Sequence, residues 1–142
     1  DYKPKKGDRV GLHWRVPNGQ GKRAVRYTLI DTNYWKSFTQ ARLAVPMGDP
    51  GCLSLFAGGA GVDHRLVSEH LTAEYRVRTE GRGRQLEEWK LRAPGLDNDW
   101  LDCLVGCAVG ASMSGAVLFG TDAREQPRKA RVRLSDIQGR RR

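Results

Sequence analysis

A layered α/β fold is what this sequence predicts. Three observations point there. Short β-branched and aromatic runs interleave with stretches of helical periodicity, capping residues stand at the junctions, and hydrophobic residues fill 39% of 142 positions, enough for one core. No apolar run approaches the length that spans a bilayer, and Asp1-Tyr2-Lys3-Pro4-Lys5-Lys6 lacks the apolar core of a signal peptide. A protein with no membrane association is expected, with one domain over residues 1–118 and a basic, disordered tail over 119–142.

Residues 1–23 are rich in Lys, Arg, Gly and Pro and read as a loop-rich edge, with strand-like alternation only over Arg9–Val16. Ala24 to Ile30 is β-branched and aromatic and stops at Asp31-Thr32-Asn33, which offers several helix N-caps. A strand therefore feeds a helix over about Tyr34–Ala44, with Trp35, Phe38, Arg42 and Val45 at near-helical spacing and a stop before Pro46. Cys52–Phe56 reads as a short buried strand, and a helix is expected over about Asp63–Ala73. Glu74–Thr79 and Gln85–Arg92 alternate around Glu80-Gly81-Arg82-Gly83-Arg84, the pattern of a β-hairpin with an arginine-bearing turn and Trp89 on its buried face. Asp97 to about Gly115 predicts a helix capped by Asp97 or Asn98, with an apolar stripe of Trp100, Leu104, Cys107, Ala108 and Ala111.

Twenty-five Lys and Arg against sixteen Asp and Glu give a formal charge of +9, so a polyanion is the first partner to consider. Arg82 and Arg84 in the hairpin turn, with Arg128, Lys129 and Arg131 in the tail, are the candidate phosphate contacts. Solubility explains the same residues without a ligand. The three cysteines, Cys52, Cys103 and Cys107, form neither an even disulfide set nor a CxxC pair, which predicts reduced thiols, with Cys103 and Cys107 as small buried helix residues. His13, His64 and His70 have no metal-binding spacing and read as surface residues. Gly58-Gly59-Ala60-Gly61 lacks the ending of a phosphate-binding loop, and no GxSxG nucleophile motif occurs.

Two acids carry the chemical interest. Asp31 follows a strand and precedes a helix, where it either caps that helix or sits at a sheet rim open to a ligand. Asp102 lies among Leu101, Cys103, Leu104 and Val105, so it either faces solvent or, partly buried, needs a cation, hydrogen bonds or a metal. If the two meet, they offer the hard oxygen ligands that two Mg²⁺ or Mn²⁺ ions require for phosphodiester hydrolysis, with the metals about 3.5–4 Å apart. Asp97 and Asp99 flank the same helix start.

Leu29-Ile30-Asp31-Thr32-Asn33-Tyr34-Trp35-Lys36-Ser37-Phe38, then His70-Leu71-Thr72-Ala73-Glu74, Glu88-Trp89-Lys90 and Asp97 through Ala108, resemble in this order the lambda-like family of large terminase subunits of tailed phages, over about residues 9 to 115. The resemblance implies the C-terminal part of an RNase H-like nuclease domain, a divalent-metal-dependent endonuclease that cuts concatemeric, double-stranded viral DNA during genome packaging. Asp31 matches the family's acid at the end of an inner strand and Asp102 the acid on the late helix, both as catalytic metal ligands. Family members often carry His at the position of Asp99, so no role passes to that residue. The family's first acid lies on a first strand upstream of everything matched here, and no equivalent is found, although Asp8, Asp49 and Asp63 are acids in the chain. An incomplete site, with little cutting by this chain alone, is therefore expected. The implied partners are the ATPase domain of the same subunit, the small terminase subunit and the portal, in the cytoplasm of a bacterial host. The alternative is a non-catalytic nucleic-acid-binding or packaging-assembly module in which the acids are structural.

Overall fold

The computed structural model describes residues 4–19, 25–59, 61–81 and 84–121, with Arg84 and Leu86 described by their backbone alone. The expected tail from 122 onward, with Arg128, Lys129 and Arg131, lies outside the described residues, as does Arg82. Among the described residues the architecture is mixed α/β: three helices and two small antiparallel sheets. Among the described residues no helix is long and apolar enough to cross a membrane.

Strands β1 (Arg9–Gly11) and β2 (Trp14–Val16) form a hairpin where one strand was expected. The chain reverses at Leu12-His13, with His13 in the left-handed region at φ 49°. Trp14 folds back over Gly11, where a Cβ would lie 2.1 Å from the indole ring, so no larger residue fits. Gly11→Ala is expected to cost about 1–3 kcal/mol, the range for forced overpacking, measured by denaturant unfolding. The hairpin is fixed to the last helix by two bonds: Trp14 Nε1 donates to Ser112 Oγ at 3.1 Å, and Arg9 Nη2 donates to the Met113 carbonyl at 2.6 Å.

The strand expected over Ala24–Ile30 shrinks to β3 (Leu29–Ile30), which pairs with Trp14 and Arg15 at the edge of the sheet order β1-β2-β3. β2 is only three residues long and gives residues 25–28 no ladder to join. Helix α1 (Thr32–Leu43) starts on Asp31 and stops at Ala44, ahead of Pro46. Cys52–Phe56 forms no strand: the Leu53 amide donates to the Arg42 carbonyl at the end of α1, and Phe56 is exposed. Helix α2 (Arg65–Thr72) buries Leu71, and Gln40 Nε2 of α1 donates to the Leu71 carbonyl at 2.7 Å, satisfying an acceptor at the helix end.

Strands β4 (Glu74–Gly81) and β5 (Arg84–Leu91) make the expected hairpin, a second sheet separate from the first. It docks on α1 by side chains of both elements, since Trp89 Nε1 donates to Ser37 Oγ at 2.9 Å and the Trp89 amide to Asn33 Oδ1 at 3.2 Å. Helix α3 (Asp99–Met113) packs on α1 and α2. Its buried residues are Leu101, Val105 and Val109; of the expected stripe Leu104, Ala108 and Ala111 are half-buried, with Ala108 packed on the core, while Trp100 is 47% exposed, and Cys103 and Cys107 are exposed rather than buried. Val105 and Val109 join Trp14 and Trp35 in the core, closed over by Ile30, Tyr34, Phe38 and Met113. That core sets α1 and α3 side by side and so places the acids.

Candidate metal centre

Asp31 takes the extended backbone of an N-cap (φ −80°, ψ 95°), and its Oδ1 accepts from the Tyr34 amide at 3.0 Å. Capping is thus one of its jobs. The second oxygen faces His13 Nδ1 at 3.4 Å, and the side chain is 42% exposed. His13 is held from several sides. Its ring stacks on Tyr34 with centroids 3.6 Å apart, and its carbonyl accepts from the Asp31 amide at 3.0 Å and from Trp35 Nε1 at 3.2 Å. These contacts hold a non-glycine residue in a sparsely populated conformation beside a carboxylate, an arrangement that the one-dimensional spacing of the histidines does not reveal.

Asp102 stands in the first turn of α3, where the helix dipole favours a negative charge. The carboxylate is 53% exposed, and its Oδ1 lies 3.0 Å from Lys36 Nζ of α1. Lys36 is itself buried and lies 2.6 Å from Glu74 Oε1 at the start of β4. Asn98 occupies the N-cap position of α3 without capping it. Its Nδ2 instead donates to Glu74 Oε1 at 2.5 Å and to Asp102 Oδ2 at 3.3 Å. Sequence reading missed Lys36 and Glu74. The available signals were a lysine flanked by the core residue Trp35 and by Thr39 one turn on, and an acid directly after the buried Ala73.

Both sequence-predicted acids therefore lie against α1, Asp31 at its N-cap and Asp102 through Lys36. Each carboxylate is engaged by its own partners, and among the described residues no three His, Cys, Asp or Glu side chains converge as a metal site. Asp97 and Asp99 are exposed. Of the other acids, Asp63 Oδ1 accepts from the Arg65 amide at 2.8 Å. Asp8 accepts from the amides of Lys5 and Asn18 and from Arg15 Nη1, and these bonds, the Lys5 amide foremost, hold its carboxyl below the ordinary value of 3.8. A lowered folded-state value means that Asp8 stabilises the fold above the ordinary carboxylate range and that this contribution is lost as pH falls through the folded value. Asp8→Asn is expected to flatten the acid limb of a stability profile followed by denaturant midpoints.

The candidate phosphate contacts in the hairpin turn are not described at the side-chain level. Behind the turn, Arg76 and Arg78 both pair with Glu87, at 3.2 Å each. As donors, Asp31, Asp102 and Glu74 are the hard oxygen ligands that Mg²⁺ and Mn²⁺ take. No family model, curated protein or solved structure matches the chain.

Proposed function

We propose that the chain is part of the RNase H-like nuclease domain of a tailed-phage large terminase subunit, a divalent-metal-dependent endonuclease acting on double-stranded viral DNA during packaging. The observation that carries this reading is the common helix: Asp31 caps α1, and Asp102 reaches the same helix through Lys36, each with a half-exposed carboxylate. Asp31 and Asp102 would hold Mg²⁺ or Mn²⁺, and the bound metal would supply Lewis-acid stabilisation of the scissile phosphate. The chain's own groups fix the ligands: the Tyr34 amide and His13 orient Asp31, while Lys36 and Asn98 orient Asp102. The net charge of +9 suits a DNA partner, and the ATPase domain, small subunit and portal are proposed as the remaining partners.

Asparagine is the informative substitution at Asp31. It caps a helix about as well as aspartate, so Asp31→Asn is expected to leave stability within a few tenths of a kcal/mol, whereas Asp31→Ala costs about 0.5–2 kcal/mol through the lost cap. Calorimetric titration with Mn²⁺ then separates metal binding from folding. Saturable binding weakened by Asp31→Asn and by Asp102→Asn supports the endonuclease reading. Mn²⁺ affinity unchanged in both variants, with DNA binding retained, would instead favour the non-catalytic packaging module.

A further inference from the structure

A cavity of about 280 Å³ opens between the end of α1, the segment 51–53, α3 and residues 117–119. Phe38, Leu53, Leu104, Val117 and Phe119 give it an apolar wall, and among the described residues Arg42 is the only charged one in its lining. The guanidinium is built into place. A Cβ on Gly120 (φ 78°) would lie 2.6 Å from Nη2, and one on Gly51 (φ 80°) 3.1 Å from Nη1, so two glycines in the left-handed region leave the slot that the group fills. Phe38 packs against it, with Cζ 5.5 Å from the ring centroid. Among the described residues no carboxylate pairs with it, and its Nε is buried without a hydrogen-bond partner. A cation partly removed from water in apolar surroundings calls for an anion, because the face of one ring offsets little of the lost hydration.

We propose that this cavity binds a small monocarboxylic acid with an aromatic or short aliphatic body, its carboxylate paired with Arg42 and its body among Phe38, Leu53 and Leu104. The volume sets the size of the ligand. A benzene ring fills a cavity of about 150 Å³ and drug-sized ligands take about 300–1,000 Å³, so there is room here for one ring or a short alkyl chain. A carboxylate matches the planar fork of a guanidinium, and an apolar body gains by displacing water from the apolar wall. Inorganic phosphate or sulfate has the charge but no body to cover that wall. The site shares no lining residue with Asp31 or Asp102 and stands whether or not those acids bind metal.

Methyl NMR on the whole chain tests this with 3-phenylpropionate, with 3-phenylpropanol as the uncharged analogue and with acetate as the charge alone. The acid is expected to shift the methyl resonances of Leu53, Leu104 and Leu118 saturably, with Kd below about 1 mM. The alcohol is expected to bind at least about tenfold more weakly, and acetate to leave these methyls unmoved. Arg42→Gln is expected to bring the acid down to the alcohol's affinity while the alcohol still binds, which shows the cavity intact. The comparison of acid with alcohol in the parent needs no variant, so a misfolded Arg42→Gln does not shelter the proposal. Acid and alcohol binding equally, no saturable shift, shifts confined to other methyls, or undiminished acid binding by a folded Arg42→Gln would each overturn it. Sedimentation of the same samples covers another occupant: a dimer whose dissociation, and not the acid, moves these methyls would give the cavity to a second copy and overturn the proposal as well.

Discussion

Lys36→Ala is expected to lower the unfolding free energy by about 3–5 kcal/mol, the loss typical of breaking a buried ion pair from one side. The pair with Glu74 sets this size. Both side chains are nearly enclosed, the contact is 2.6 Å, and removing the ammonium leaves Glu74 with Asn98 as its remaining partner and one oxygen already unpaired. The arm to Asp102 matters far less, because a half-exposed carboxylate is screened by water. Asp102→Asn is therefore expected to cost under about 1 kcal/mol. Denaturant unfolding of the two variants in chelator gives the comparison. Equal losses would mean that the exposed arm, not the buried one, ties α1 to its neighbours.

Trp35→Ala is expected to cost about 3–5 kcal/mol in the same assay, through lost burial and the cavity left behind. Trp35 is 0% exposed, and it meets Tyr34 and Phe38 edge-on with centroids 5.3 and 5.6 Å away. Its indole also donates to the His13 carbonyl, which is bonded in turn to the Asp31 amide. The substitution therefore loosens the cap of α1 as well as the core. Trp35→Phe is expected to lose less, since a ring remains and the His13 carbonyl keeps the Asp31 amide as donor.

Local signals in the sequence carried much of the fold. The Asp31 cap, the helix before Pro46 and the alternation on either side of Gly81 report interactions within a few residues, and the corresponding elements are present. What failed depended on distant partners. Val25 and Tyr27 have strand-like character, but a three-residue β2 offers them no ladder. In α3, Cys, Gly, Ala and Val surround the helix on most sides, so composition marks no single face, and Leu101 proves to lie inside and Trp100 outside.

The candidate centre divides in the same way. Asp31 and Asp102 stand out by position along the chain, one at a strand-to-helix junction and one among apolar neighbours. Lys36 and Glu74 do not, because a charge on a helix and a charge opening a strand each look solvated until the fold joins them. Periodicity tells which face a residue occupies and is silent on what it meets there. His13 is a similar case: its meeting with Asp31 depends on a hairpin turn at Leu12-His13 that alternation over Arg9–Val16 hides.

Anomalous diffraction from crystals of the chain grown with Mn²⁺ tests the central claim most directly, because it locates the ion. The proposed metal centre predicts Mn²⁺ peaks within about 2.0–2.3 Å of carboxylate oxygens of Asp31 and Asp102. Mn²⁺ bound only elsewhere on the chain, with both carboxylates still on the partners they have here, would contradict it.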